Sequence, residues 1–263
     1  MRRYLSRVEH KINSYISRAI KTYDLIKEGD HILVAVSGGK DSLALLYFLK
    51  KIQEWAPVHY TLSAVHVKSD FKCGGLMNAE ALEKYFKELE VPYVFRQIQV
   101  TDAENKTNCF WCSWNRRKRL FETCKELGCN KLALGHHKDD IVETTLMNLI
   151  FNGHISTMNV CQELFKGTLH VIRPLCFVEE RWTKQFAKER GWMNETCAST
   201  CSVGDVSRRK YIKNFITETE KITGHARIRT HIFNAIARVR EEYIGLKKIK
   251  SVDEIMEEKD AAL

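Results

Sequence analysis

Residues 37–42 read SGGKDS, packing two serines, two glycines, a lysine and an aspartate between an apolar run and a helical stretch. Glycines let a backbone approach a ligand closely, successive N–H groups then point outward, and a helix starting there adds its positive end. Ser37, Gly38, Gly39, Lys40, Asp41 and Ser42 are therefore a candidate cradle for a phosphate-bearing ligand. The segment is not a Walker A loop, which needs four residues between its first glycine and Gly-Lys-Ser/Thr. A second group stands at 134–140 (LGHHKDD), where Gly135 would admit a nucleotide close to the backbone. Asp139 and Asp140 suit a helix N-terminus as capping groups; beside a diphosphate, their hard oxygens would suit Mg²⁺. His136 and His137 are adjacent and lack the i, i+4 spacing of a helical zinc site, so they are not read as metal ligands.

A third group is made of thiols. Cys109 and Cys112 (CFWC) open a helix that continues through Arg116 and Arg117, and Cys197 and Cys201 (CASTC) lie far downstream. Three chemistries compete. A CxxC at a helix N-terminus lowers a thiol pKa and suits a redox pair. Two cysteine pairs suit a tetrahedral structural zinc. Three thiolates suit an iron–sulfur cluster with one iron free of protein ligands. Spacing alone favours zinc without deciding the matter. Cys73, Cys124, Cys129, Cys161 and Cys176 lie in mostly apolar surroundings and read as small core residues.

These groups need a scaffold, and alternating periodicities supply one. Apolar runs at 31–36, 60–67, 93–100, 131–135 and 169–173 read as strands, the last ending at Pro174. Helical patterns at 78–89, 111–127 and 138–151 separate them, and 43–49 continues a helix after the SGGKDS loop. Such alternation predicts a parallel, doubly wound α/β sheet with ligands at the carboxyl ends of its strands, where SGGKDS, the residues after Val67 and LGHHKDD all fall. Leu5, Val8, Ile12, Tyr15, Ile16, Ala19, Ile20 and Tyr23 recur at helical spacing and predict an amphipathic N-terminal helix over 4–26. Residues 179–190, 205–221 and 227–243 predict three further helices, followed by a charged tail. The expected organisation is an N-terminal amphipathic helix (1–28), an α/β domain holding the SGGKDS loop with a CxxC insertion (29–176) and a helical C-terminal region carrying Cys201 (177–263).

Composition bounds the partners. At 263 residues and 44% hydrophobic the chain can bury a core, and 42 Lys and Arg against 33 Asp and Glu give a formal charge of +9. That balance suits a polyanion without naming one. The polar start (MRRYLSR) lacks a secretory h-region, and no apolar run reaches membrane length. The expectation is a cytoplasmic protein without a membrane partner, in which nine cysteines are not a disulfide framework.

Taken in order, SGGKDS, CFWC with Ser113, Arg116 and Arg117, LGHHKDD and 171–175 (VIRPL) resemble the tRNA 2-thiocytidine synthetase group of the PP-loop ATP pyrophosphatases, over residues 29–243. SGGKDS alone identifies the superfamily; the CxxC helix with its paired arginines makes the resemblance specific. It implies a sheet of five parallel strands and an ATP site at Ser37, Gly38, Gly39, Asp41 and Ser42, with Lys40 and Mg²⁺ offsetting the diphosphate charge. It further implies that Asp41 is required for reaction, that His66 and Val67 receive the adenine, that Gly135 lies near the ribose or α-phosphate, and that Asp140 lies near the metal. A [4Fe-4S] cluster is implied on Cys109, Cys112 and a third cysteine. There the sequence departs from the group, because the downstream spacing is Cys-x3-Cys and Ser202 replaces a glycine. Cys201 keeps the group's distance to Arg209 and takes the third position, with Cys197 as the alternative. Met158, Asn159 and Val160 stand where the group carries prolines.

The implied activity is ATP-dependent, iron–sulfur-dependent tRNA thiolation. A pyrimidine carbonyl oxygen is adenylated and then replaced by sulfur, at an anticodon-loop cytidine. The implied partners are tRNA, a sulfur donor (sulfide or a persulfide carrier) and a second copy of the chain. Arg116, Arg117, Arg208, Arg209 and Lys210 are candidate tRNA phosphate contacts, and Phe110, Trp111 and Trp114 are either base-stacking or core aromatics. Three rivals stay open: a PP-loop tRNA ligase or other nucleoside 2-thiolase whose cysteines hold zinc or are inert, a non-catalytic iron–sulfur or nucleotide sensor, and sulfur transfer to a small molecule.

Overall fold

A computed structural model describes residues 6–70, 78–101, 107–192 and 206–240. The first helix, α1 (Arg7–Tyr23), begins at a capping box in which Ser6 accepts from the Glu9 N–H and the Glu9 side chain accepts from the Ser6 N–H. It stops where Asp24 turns left-handed. Its buried stripe is Val8, Ile12, Ile16 and Ala19, part of the stripe expected from spacing. Then come β1 (His31–Ala35), α2 (Lys40–Gln53), β2 (Thr61–Ser69), α3 (Ala79–Glu88), β3 (Tyr93–Ile98), α4 (Cys109–Glu126), β4 (Lys131–Ala133) and α5 (Lys138–Phe151). The chain continues through β5 (Cys161–Leu164), β6 (Leu169–Ile172), α6 (Glu180–Glu189), α7 (Val206–Thr223) and α8 (Ile228–Ile236).

The sheet has six strands in the order β3-β2-β1-β4-β6-β5. All neighbours are parallel except β5, which pairs antiparallel with β6. The five expected parallel strands are present, and one antiparallel edge strand joins them. β5 is short and polar (CQEL, half-buried to exposed), so it leaves no apolar run to read. The expected helix over 227–243 is also shorter, running Ile228–Ile236 with Ala237 as its C-cap, and residues 241–243 lie outside the described ones.

The central strands are mainly apolar where helices cover both faces, as in Ile32–Val34 of β1 and Leu132–Ala133 of β4. Ile32 and Val34 enter one core with Leu62, Ala64, Leu45, Phe48, Phe86 and the α1 stripe, and Phe186 of α6 joins them. Leu33, between them, points to the opposite core with Val65, Leu120, Cys124, Leu132 and Val171. Full burial of each such side chain is worth roughly 1.5–3 kcal/mol. Handedness explains the split. From β1 the chain steps outward to β2 and β3, then returns past them to β4, and right-handed crossovers in opposite directions put their helices on opposite faces. Among the described residues no helix is long and apolar enough to cross a membrane.

Candidate functional site

The reversal places β1 between β2 and β4, with chain connections leaving in opposite directions. A crevice therefore opens at the carboxyl ends of β1 and β4, where open α/β sheets bind ligands. The SGGKDS loop leaves β1 there. Gly38 has φ +83°, a conformation that L side chains rarely adopt. Ser42 folds the loop: its Oγ donates to the Gly39 carbonyl at 2.8 Å and accepts from the Ser37 N–H at 3.1 Å. Side chains cap α1, α3, α4 and α5, whereas the Gly39 N-cap of α2 makes no side-chain cap bond. The first-turn N–H groups of α2 thus face the crevice mouth as an anion cradle.

Asp41 is the hub. Its Oδ1 accepts from Thr183 Oγ at 2.5 Å, and its Oδ2 accepts from Lys40 Nζ at 2.7 Å. Lys40 also pairs with Glu180 at 3.3 Å. Burial would lower the Lys40 pKa, but Asp41 and Glu180 outweigh it and raise it. Burial likewise works to raise the Glu180 carboxyl, and the Lys213 hydrogen bond with the Lys40 and Lys213 charges holds it far below the usual carboxylate range. On the other side of the crevice, His137 caps α5 by accepting the Asp140 N–H on Nδ1 at 3.3 Å. The same ring lies with Nδ1 3.2 Å from Asp140 Oδ2 and with Nε2 3.8 Å from Asp41 Oδ2. One imidazole therefore links Asp41 to the helix turn carrying Asp140, two carboxylates whose oxygens suit Mg²⁺ beside a diphosphate.

The adjacent carboxylates separate. Asp139 accepts the Glu180 N–H at 2.8 Å and pairs with Arg229 at 3.1 Å, fastening α6 and α8. Asp140 instead pairs with Arg209 at 3.2 Å. Arg209, a candidate phosphate contact from its sequence position, is thus engaged at the crevice.

Gly135 stands against the SGGKDS loop itself. A Cβ there would lie 3.0 Å from the Ser42 nitrogen, so the end of β4 packs directly on the first turn of α2. Because that neighbour is backbone, Gly135→Ala must displace the loop. It is expected to cost about 1–3 kcal/mol and to weaken ATP binding, as denaturant titration and nucleotide binding would read; unchanged binding would contradict the close packing. His66 Nδ1 lies 2.7 Å from the Val36 carbonyl, which only accepts. Nε2 is therefore the free acceptor, and burial lowers the ring pKa and keeps it neutral. Val67, next along β2, is half-buried.

His136 Nδ1 accepts from Arg173 Nε at 3.3 Å, and Arg173 also donates to the Asn159 carbonyl. Burial first, with Arg173 adding repulsion, pushes the His136 pKa down to about 4. The unfolded chain then takes up this proton before the folded chain does, so stability is fully present above the ordinary pKa and is lost as pH falls toward 4. The loss expected is on the order of 2 kcal/mol. It should be absent in His136→Gln, as denaturant midpoints on both sides of that window would read.

Cys109 and Cys112 lie one turn apart at the start of α4, which Asn108 caps by accepting the Trp111 N–H at 2.8 Å. Cys112 is half-buried. Two soft thiolates on one helical turn fit the donor set of an iron–sulfur cluster and equally a zinc site. Cys201 and its alternative Cys197 lie outside the described residues, as does Cys73. Cys124 and Cys176 are buried, and burial pushes both thiols up to about 12, so they are inert core residues. Trp111 and Trp114 are exposed rather than core. The Arg116 Nε is buried without a hydrogen-bond partner, and its charge helps lower the His66 pKa, so this arginine faces the crevice. Thr183 and Glu180 were not legible as site residues, because only the docking of α6 brings them to Asp41.

The family model of the PP-loop domain matches residues 6–219. A tRNA-cytidine(32) 2-sulfurtransferase of Geobacter sulfurreducens is 35% identical over 241 residues, covering 89% of this chain and 91% of the relative. Another from Alkalilimnicola ehrlichii is 34% identical over 251 residues, covering 93% and 78%. Among solved structures, the U34-tRNA thiolase NcsA from Methanococcus maripaludis, with its [4Fe-4S] cluster, is similar in fold. Its TM-score is 0.70 over 92% of this chain and 83% of that one, at 23% identity.

Proposed function

The chain belongs to the PP-loop family and, within it, to that of the tRNA-cytidine(32) 2-sulfurtransferases, and from this premise we infer that it is an ATP-dependent tRNA sulfurtransferase thiolating position 2 of an anticodon-loop cytidine. The observation that carries the inference is the His137 bridge, which joins the anion cradle of α2 to the Asp140 turn of α5 across the crevice. Residues 29–176 form the ATP-binding unit, 1–28 its N-terminal helix, and 177–263 the helical region bringing Cys201 as third thiol.

ATP lies with its β,γ-diphosphate on Ser37, Gly38, Gly39 and Ser42, where Lys40 offsets charge. His66 and Val67 border the adenine, and Gly135 keeps the β4 end close to the loop. Asp41 and Asp140 hold Mg²⁺. The cytidine O2 attacks the α-phosphorus, forming a new P–O bond as the bond to diphosphate breaks. Sulfur then attacks C2, and the C2–O bond breaks to release AMP. A [4Fe-4S] cluster on Cys109, Cys112 and Cys201 would supply a metal-bound, activated sulfur nucleophile when present. Arg116 directs positive charge at the crevice where the adenylated base forms. The target base must leave its stack, which costs least in a loop. The sulfur donor is sulfide, or a persulfide carrier whose S–S bond a thiol reductant cleaves to release sulfur at the sulfide level with a disulfide as the other product, the active form pairs two copies, and the compartment is the cytoplasm.

Product stoichiometry tests the reading. Holoprotein with Mg-ATP, sulfide and tRNA should release AMP and diphosphate in equal amounts, and only when tRNA is present. Release of ADP, or equal turnover without tRNA, would overturn it.

A further inference from the structure

We propose that Trp111 and Trp114 form a stacking platform for an unpaired nucleobase of the RNA substrate, a base of the same loop other than the one thiolated. The proposal rests on the tRNA-modifying reading above and names residues that position its substrate. Spacing of three puts the two indoles side by side on α4. Their rings are parallel within 8°, with centroids 5.5 Å apart. They remain 47% and 43% exposed, and Phe110 beside them is 72% exposed. Single exposed apolar residues are ordinary, but three aromatics within two helical turns mark a contact surface.

Helical geometry separates this surface from the sheet. Cys112, Arg116, Leu120 and Thr123 recur at intervals of three and four and share a face. Leu120 and Thr123 are buried, so that face meets the sheet and crevice. Trp111, Trp114 and Lys118 fall on the opposite side. They cannot receive the base held at the thiols, yet they stand one turn from them.

The charge around the indoles selects a polyanion. No acidic residue occurs between Thr107 and Phe121, while Arg116, Arg117, Lys118 and Arg119 follow in series. Lys118 Nζ lies 5.6 Å from the Trp114 ring centroid. The nearest acids along the helix, Glu122 and Glu126, are taken up by Arg119 and Arg96. Flat aromatic faces beside cations are what binds single-stranded nucleic acid, since every base has a π-face and every linkage a charge.

The test pairs binding with turnover in anaerobically prepared holoprotein. Titration with substrate tRNA, without ATP, should quench tryptophan fluorescence. A Trp111→Ala/Trp114→Ala variant, which keeps Trp55, Trp182 and Trp192, should lose most of that quenching. Its Kd and KM for tRNA should rise about 5- to 100-fold, with nucleotide binding and melting temperature retained, and Trp111→Phe/Trp114→Phe should restore most of the affinity. Unchanged Kd and KM in the alanine variant would overturn the platform while leaving thiolation standing. Self-association of wild type that the variant abolishes, with tRNA affinity intact, would also overturn it and assign the face to a second copy. If wild type binds tRNA with quenching but thiolates none, the platform stands and the proposed activity falls.

Discussion

Cys112→Ala is expected to abolish thiolation, slowing it by more than about 10³-fold, while ATP still binds. The thiol sits half-buried on the first turn of α4 and belongs to none of the hydrophobic cores of the described residues. Stability should change by no more than about 1 kcal/mol. The loss would therefore be chemical. Anaerobically prepared wild type should carry about four irons with matching acid-labile sulfide, and the variant should carry almost none. One zinc per wild-type chain would instead point to a tetrahedral structural site and return the acceptor question to the wider PP-loop enzymes. Full thiolation by the iron-free variant would remove the thiols from the reaction.

Asp41→Asn is expected to cost on the order of 10²–10³ in kcat, with a smaller effect on ATP affinity. The amide keeps the size of the carboxyl and can still accept from Thr183. It removes the charge that holds Lys40 at 2.7 Å and that faces the His137 ring across the crevice at 3.8 Å. Lys40 would then lean on Glu180, which already carries Lys184 and Lys213. Thr183→Val makes the companion case: with the charge retained but its 2.5 Å donor gone, roughly a tenfold loss is expected. Rapid quench of AMP formation with melting curves on both variants would check this. An Asp41→Asn enzyme with normal kcat would show that the aspartate serves only to hold α6.

The scaffold was largely legible because its physics is local. β1, β4 and β6 are mostly buried, β2 is buried over Leu62–Val65, and edge strand β3 still opens on apolar Tyr93, Val94 and Phe95, while the helices between them carry periodic stripes. β5 escaped because its polar residues pair only along an edge, and because its hairpin turns through Phe165 and Lys166 at φ +52° and +55° before Gly167. Neither a phenylalanine nor a lysine signals such a turn. The cradle was legible for the same local reason, since strand, glycines and helix start are contiguous. What joins at Asp41 was not. Thr183 and Glu180 arrive from a helix about 140 positions away, and no spacing rule connects them. Asp139 and Asp140 looked alike as capping residues, and only the docking of α6 and α8 separates the fastener from the crevice carboxylate. Arg209 reads from the sequence as a candidate tRNA phosphate contact, and no spacing rule reveals its pairing from α7 with Asp140.

Nucleoside analysis by mass spectrometry is the most direct test of the central claim. Cluster-loaded protein, Mg-ATP and a sulfide source would be given unmodified tRNA with cytidine at position 32, and the same tRNA with that base replaced. The account predicts 2-thiocytidine in the first, formed one for one with AMP, and none in the second. Absence of 2-thiocytidine in both, with AMP still released, would contradict it and assign the activated base to another acceptor.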